Sequence, residues 1–248
     1  MSSTSETGHA KNVANFEDLI SFCNGYGASY TPSKEALKIA NLQTQLTSSQ
    51  NVLKEVKTAQ TVFNNATNAR MDLFKPLKSF ATKIINALDA TEASAETVKD
   101  ARTINRKLQG QRATPKAATP QPPVAGETPP PDKTISASQQ SYDQQIEHFD
   151  KLIELLAADS NYKPNEKELG LPALQAKLTE FKTANTAVVD SYTNWSNSRI
   201  ARKIALYNLL TGLVNTALDV KKYIKSVYGA RSPQYKQVSK LQFKNRKD

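Results

Sequence analysis

Two histidines, one cysteine and a helical row of carboxylates are the residues of this 248-residue chain whose types could support catalysis or metal binding. His9 lies in the polar segment MSSTSETGHAKN, and His148 follows Glu147 in SYDQQIEHFDKLIELLAA. Neither has the His-x-x-x-His or Glu-x-x-His spacing that sets two ligands on one helical face. His148 is expected at a surface or boundary. A Ser-His-Asp assembly would have to recruit one of these two histidines without nucleophile-elbow glycines. The eight glycines never cluster into a Walker or dinucleotide loop. Cys23 has no partner for an intrachain disulfide, and a thiolate metal site has no second thiol. Its neighbours Leu19, Ile20 and Phe22 suggest a small buried side chain rather than a reactive thiol. The expectation is a chain that is not an enzyme and holds no cofactor or metal.

Asp143, Glu147, Asp150 and Glu154 recur at i, i+4, i+7 and i+11, one step off the apolar line of Tyr142, Ile146, Phe149, Ile153 and Leu156. Four carboxylates on one face could hold a hard cation. The simpler reading is a solvated flank facing basic neighbours, for which Arg199, Arg202 and Lys203 are the expected partners.

The opposite charge is concentrated at the other end. The formal net charge is +10, and the segment from Arg199 onward carries twelve Lys and Arg against Asp219 and Asp248. Lys221, Lys222 and Lys225 are expected on the polar side of a helix. Beyond Gly229 the tail interleaves Arg231, Lys236, Lys240, Lys244 and Arg246 with Tyr235, Val238, Leu241 and Phe243. Cations among aromatic rings suit phosphate neutralisation and base stacking. The same stripe suits an acidic protein face or anionic lipid headgroups, or is simply a solvated end that complements a helix dipole. These eight cations, from Lys221 to Arg246, are the candidate partner-binding residues.

The elements that carry these groups read as an internal duplication. YTPSKEALKIANLQTQLT around Tyr30 matches YKPNEKELGLPALQAKLT around Tyr162, pairing Pro32 with Pro164, Leu37 with Leu169, Leu42 with Leu174 and Leu46 with Leu178. The offset also pairs Phe63 with Trp195 and Arg70 with Arg202. After one inserted residue it pairs Phe74 with Tyr207, Leu77 with Leu210 and Ile84 with Ala217.

Each copy reads as three helical segments. Ser33 and Asn165 stand where N-caps are wanted. The second segment carries a heptad-like seam of Leu171, Leu174, Leu178, Phe181, Asn185, Val188, Tyr192 and Trp195, with Asn185 either setting register or accidental. The third carries Leu206, Leu210, Leu213, Ala217, Val220, Ile224 and Val227. NNATNAR and WSNSR, between the second and third segments, are poor helix formers, so either a hairpin turn or one long bent helix fits there.

The fold class expected is all-α: two duplicated units of long amphipathic helices in a bundle, joined by a Pro-rich linker. Their limits are a disordered tail at 1–13, repeats at 14–112 and 137–229, the linker at 113–136, and a basic tail at 230–248. Repeated proline without periodicity makes the linker a semi-rigid polyproline spacer, or a docking motif through PPPDK. The apolar content of 38 % suits helices with wide polar faces, no run reaches a membrane span, and the N-terminus lacks a signal-peptide core. A cytoplasmic helical scaffold is therefore expected, showing its basic C-terminal face to an acidic partner. Protein partners or self-association come first, then a nucleic-acid backbone, then a membrane surface, with no small-molecule substrate evident.

Overall fold

A computed structural model describes residues 4–111 and 140–245; the linker at 113–136 and Arg246 lie outside the described residues. Every described element is helical. In chain order they are α1 (Thr4–Gly25), α2 (Ile39–Phe74), α3 (Leu77–Asp89), α4 (Ala95–Gln109), α5 (Tyr142–Ala158), α6 (Leu171–Tyr207), α7 (Leu213–Tyr228) and α8 (Pro233–Ser239). Single 3₁₀ turns occur at Gly27–Ser29, Glu35–Leu37 and Lys167–Leu169. No helix among the described residues is long and apolar enough to cross a membrane.

Between the two geometries open for the joint, the continuous helix is the one observed. α2 and α6 run through NNATNAR and WSNSR without interruption. Asn, Ser and Thr each cost a helix only a fraction of a kcal/mol, about 0.7 at most, which long-helix packing outweighs. The breaks come later, where the chemistry is harder. Pro76 cannot continue α2, because its ring collides with the preceding turn. Residues 208–212 form the turn after α6. The expected caps at Ser33 and Asn165 are not helix starts, because a 3₁₀ turn intervenes and α2 and α6 begin at Ile39 and Leu171. Ser94, Ser141 and Ser232 are the hydroxyl caps, each accepting from a backbone N–H three residues on.

The chain forms two compact units, one from Met1–Asn64 with Asp190–Asp248 and the other from Asn65–Val189. Each unit therefore draws residues from both 14–112 and 137–229. The first unit packs α1, the start of α2, the end of α6, α7 and α8 around Phe16, Leu19, Leu42, Leu206, Leu213, Ala217, Val220, Ile224 and Val238. In the second, the end of α2 and the start of α6 join α3, α4 and α5 around Leu77, Ile84, Leu88, Leu108, Phe149, Leu152, Leu156, Leu174 and Phe181. Burial of each of the larger side chains among them contributes about 1.5–3 kcal/mol.

The long helices run antiparallel inside each unit. In the second, Phe74 packs on Phe181 with ring centroids 4.4 Å apart, while four residues earlier Arg70 meets Asn185, four residues later. In the first, Phe63 stacks on Trp195, and Gln45 reaches the Thr211 carbonyl at 2.8 Å.

Several expected placements are corrected. Residues 4–13, read as a disordered tail, belong to α1, and His9, Asn12 and Val13 are buried. Residues 230–245 are not a free tail: α8 forms there and Val238 is fully buried. Tyr192, Leu210 and Val227 are exposed, although periodicity put them on the seam. The buried positions of α7 include Leu213, Ala217, Val220 and Ile224, and those of α3 include Leu77, Ala81, Ile84 and Leu88, with the same spacing.

Candidate functional site

The basic C-terminal segment is held on the first unit. Pro233 in the first turn of α8 and Val238 in the core fix the helix. After it, Asn15 Nδ2 donates to the Gln242 carbonyl at 2.6 Å and Asn12 Nδ2 to the Lys244 carbonyl at 2.9 Å, while Lys244 N donates back to Asn12 Oδ1 at 3.0 Å. Both asparagines project from α1. This docking was missed in the sequence because they fall in or beside the stretch read as a tail. The signal was there: His9, Asn12–Val13, Phe16, Leu19–Ile20 and Cys23 share one helical face, with polar residues taking buried positions at its start.

The eight candidate cations divide. Lys221 is half-buried and donates to the Ser239 and Leu241 carbonyls at 3.2 and 2.9 Å, so it anchors the segment rather than projecting to a partner. Burial holds its ammonium below the ordinary lysine range. Lys221 also stands over the Phe243 ring, and Lys225 over Tyr235. Those rings are half-buried and engaged in packing. Lys222 pairs with Asp219, which also binds Lys34 at 2.7 Å. Hydrogen bonding from Lys34 holds the Asp219 carboxyl below its ordinary value. Lys222, Lys225, Arg231, Lys236, Lys240 and Lys244 are exposed. A groove of about 680 Å³ runs between α1 and the C-terminal segment, with Lys11, Asn12, Asn15, Lys240 and Lys244 on its walls and Asp18 opposing them.

The turn between α6 and α7 is built around Asn208 and Gly212. Asn208 Oδ1 accepts from Leu210 N and Thr211 N at 2.9 and 3.1 Å. A Cβ on Gly212 would come within 2.6 Å of the Asn208 backbone, so only glycine fits. The turn holds Leu209 and Leu210 outward, 77 % and 83 % exposed.

The histidines and the cysteine are structural in setting. His9 Nδ1 lies 2.6 Å from the Tyr207 hydroxyl, which Asn12 also contacts. His148 is buried, not at a boundary, because α5 packs on both α4 and α6. Its Nε2 has no hydrogen-bond partner, and burial, with Lys107 and Lys151 nearby, holds its pKa below the ordinary value. Cys23 is buried, and desolvation pushes its thiol up to about 12, far from a reactive thiolate.

On α5, Glu147 pairs with Lys151, Asp150 with Lys182, and Asp143 accepts from Asn185. These partners come from α5 and the start of α6; the expected Arg199, Arg202 and Lys203 belong to the other unit. Among the described residues, no three His, Cys, Asp or Glu converge as a metal set. Asn185 is not accidental, since it also accepts from Arg70 at 2.7 Å and so ties α2, α5 and α6 together. A second basic groove, of about 600 Å³, lies on α3 and α4 with Lys99, Arg102 and Arg106 along one wall.

No family model, curated protein or solved structure matches this chain.

Proposed function

We propose that this protein is a non-enzymatic helical scaffold that presents a folded, strongly basic surface to an acidic partner. The observation that carries this reading is the segregation of charge between the two units. The first unit contains seventeen Lys and Arg against eight Asp and Glu; the second contains sixteen against fifteen. Nearly all of the net charge of +10 thus belongs to one unit. A field of one sign on a compact body attracts polyanions and speeds their encounter, and it weakens with salt. Docking of the C-terminal segment supports the reading further, because Lys236, Lys240 and Lys244 are fixed on a surface rather than scattered along a coil.

The internal duplication belongs to this proposal. Tyr30 donates to the Leu37 carbonyl at 2.8 Å and Tyr162 to the Leu169 carbonyl at 2.9 Å, matching loops before matching long helices. On this reading two copies of one helical unit, joined by the Pro-rich linker in a cytoplasmic protein, have divided their labour. Each compact unit pairs the beginning of one copy with the end of the other, and the copy-two end has become basic.

The test is retention on immobilised polyglutamate as salt is raised, for the wild type and for Lys236→Glu/Lys240→Glu/Lys244→Glu. These side chains are exposed, so the triple variant should keep its melting temperature while binding falls about tenfold or more. Equal retention would reject the surface. Truncation after Gly229 is the wrong experiment, because it removes Val238 from the core. A nucleic-acid backbone is the second reading, favoured by the exposed lysines along the groove on α1. It predicts equal binding to duplexes of unrelated sequence, with a steep salt dependence.

A further inference from the structure

We infer that the corner between α6 and α7 is a membrane-contact site, and that the acidic partner of the first unit is an anionic lipid surface. The inference rests on the basic-surface reading above and names its partner. Leu209 and Leu210 are the most exposed of the large apolar side chains among the described residues, and Ile200 and Ile204, 55 % and 58 % exposed, line the last turns of α6 leading to them. A protein surface seldom leaves such a cluster in water unless something covers it.

The corner is built to display these leucines. The Asn208 side chain caps the turn, the Gly212 backbone closes on it, and Gln45 of α2 ties down the Thr211 carbonyl. A flexible loop would fold its leucines back; this one holds them out at little further entropic cost on binding. On the duplication reading, the connection from α6 to α7, three residues longer than that from α2 to α3, is what makes the projection. At the corresponding place α2 passes through Lys75 and Pro76 directly to the buried Leu77.

Charge selects the occupant. Asn12 contacts both the Tyr207 hydroxyl and the Lys244 carbonyl, so the basic C-terminal segment lies beside the last residue of α6, two residues before Leu209. Exposed Lys11 and Lys244 thus line the groove beside Asn12, which meets the hydroxyl of the residue that ends α6, on a unit of strong positive charge. An apolar wedge flanked by cations is what an anionic bilayer interface rewards, leucines entering the acyl boundary and ammonium groups remaining among the headgroups.

The test is co-sedimentation of the full chain with vesicles of phosphatidylcholine alone, or with about a third phosphatidylserine. The expected result is binding to the anionic vesicles only, weakened at least about tenfold in Leu209→Ser/Leu210→Ser and similarly in Lys11→Glu/Lys244→Glu. Melting of the serine pair should be unchanged, since neither leucine is in the core. Leu210→Trp should show a blue-shifted fluorescence on the anionic vesicles. Wild-type affinity in the serine pair would overturn the corner as the contact. Absence of vesicle binding while polyglutamate is retained would overturn the lipid assignment and leave the basic-surface reading standing. A dimer that dissociates in the serine pair, without vesicle binding, would overturn it in favour of a second copy of this chain.

Discussion

Asn12 and Lys244, 232 residues apart, close a two-point clamp in which the amide side chain pairs with the backbone N–H and C=O of the lysine. The geometry imitates one rung of a sheet ladder, with a side chain standing in for the second strand. It converts a lysine-rich segment into part of a folded surface. Loss of the amide leaves two part-buried backbone groups without this partner, and each unmade bond of that kind costs about 1–3 kcal/mol when water cannot replace it.

Asn12→Leu is therefore expected to lower stability by about 2 kcal/mol and to raise hydrogen exchange at 240–245. The core of the second unit should keep its exchange rates. Unchanged exchange at 240–245 would show that the clamp does not hold the segment.

The aromatic cluster on α2 and α6 yields a second prediction. Phe63 and Trp195 stack with centroids 5.4 Å apart and an interplanar angle of 19°, Tyr192 meets the indole edge-on, and Arg199 lies over it. Trp195 is only half-buried, so Trp195→Ala should cost about 2 kcal/mol, less than a fully buried indole. Its Nε1 is buried with no partner. Trp195→Phe keeps the stack and removes that orphan donor, so its stability should lie within about 1 kcal/mol of wild type. Chemical denaturation of the two variants separates packing from polarity; equal losses would contradict the stack.

How much of this was readable before the fold follows the strength of the local signals. The first turns of each long helix were legible because Leu42, Leu46, Leu174, Leu178 and Phe181 keep a helical period, and all are buried, whereas its continuation through NNATNAR or WSNSR was not. The end of α6 was not, because Leu210 continues that period in sequence while Asn208 and Gly212 have already turned the chain. Periodicity also cannot reveal that Asn12 is buried, since an asparagine at a core position looks like a polar tail until its backbone partner arrives from the far end. The charge asymmetry was plain in composition. Which cations stay available was not, because Lys221 differs from Lys222 only in the face of α7 it occupies.

His148 makes stability depend on pH. The folded state holds the imidazole neutral, its pKa lowered by burial and then by Lys107 and Lys151, with Glu147 opposing them. The unfolded chain binds a proton near the ordinary 6.5. Above that value the two states bind equally, and His148 adds no pH dependence. As pH falls from 6.5 toward the depressed folded value, the unfolded state takes up the extra proton and stability declines, by at most about 1.4 kcal/mol per pH unit. Melting followed from pH 7 to 5 should show this slope in the wild type and a shallower one in His148→Leu. Parallel slopes would mean that other groups carry the titration.

Tyr30 and Tyr162 make the most direct comparison between the two units. Each hydroxyl is buried and donates to the carbonyl seven residues on, closing the loop that delivers the chain to a long helix. Burial raises both phenol pKa values, Tyr162 to about 12, so neither ionises in the physiological range and both remain donors. Removing the hydroxyl orphans the Leu37 or Leu169 carbonyl, at about 1–2 kcal/mol. The surroundings differ: Tyr30 meets Tyr223 edge-on in the core of the first unit, whereas Tyr162 sits in the core of the second. Tyr30→Phe and Tyr162→Phe should therefore give similar losses with separate footprints. Exchange should rise around 30–42 and α7 in one variant and around 162–174 in the other. A loss in only one of them would mean that the shared Tyr-x-Pro spacing does not mark equivalent loops, and would weaken the duplication reading at its strongest point.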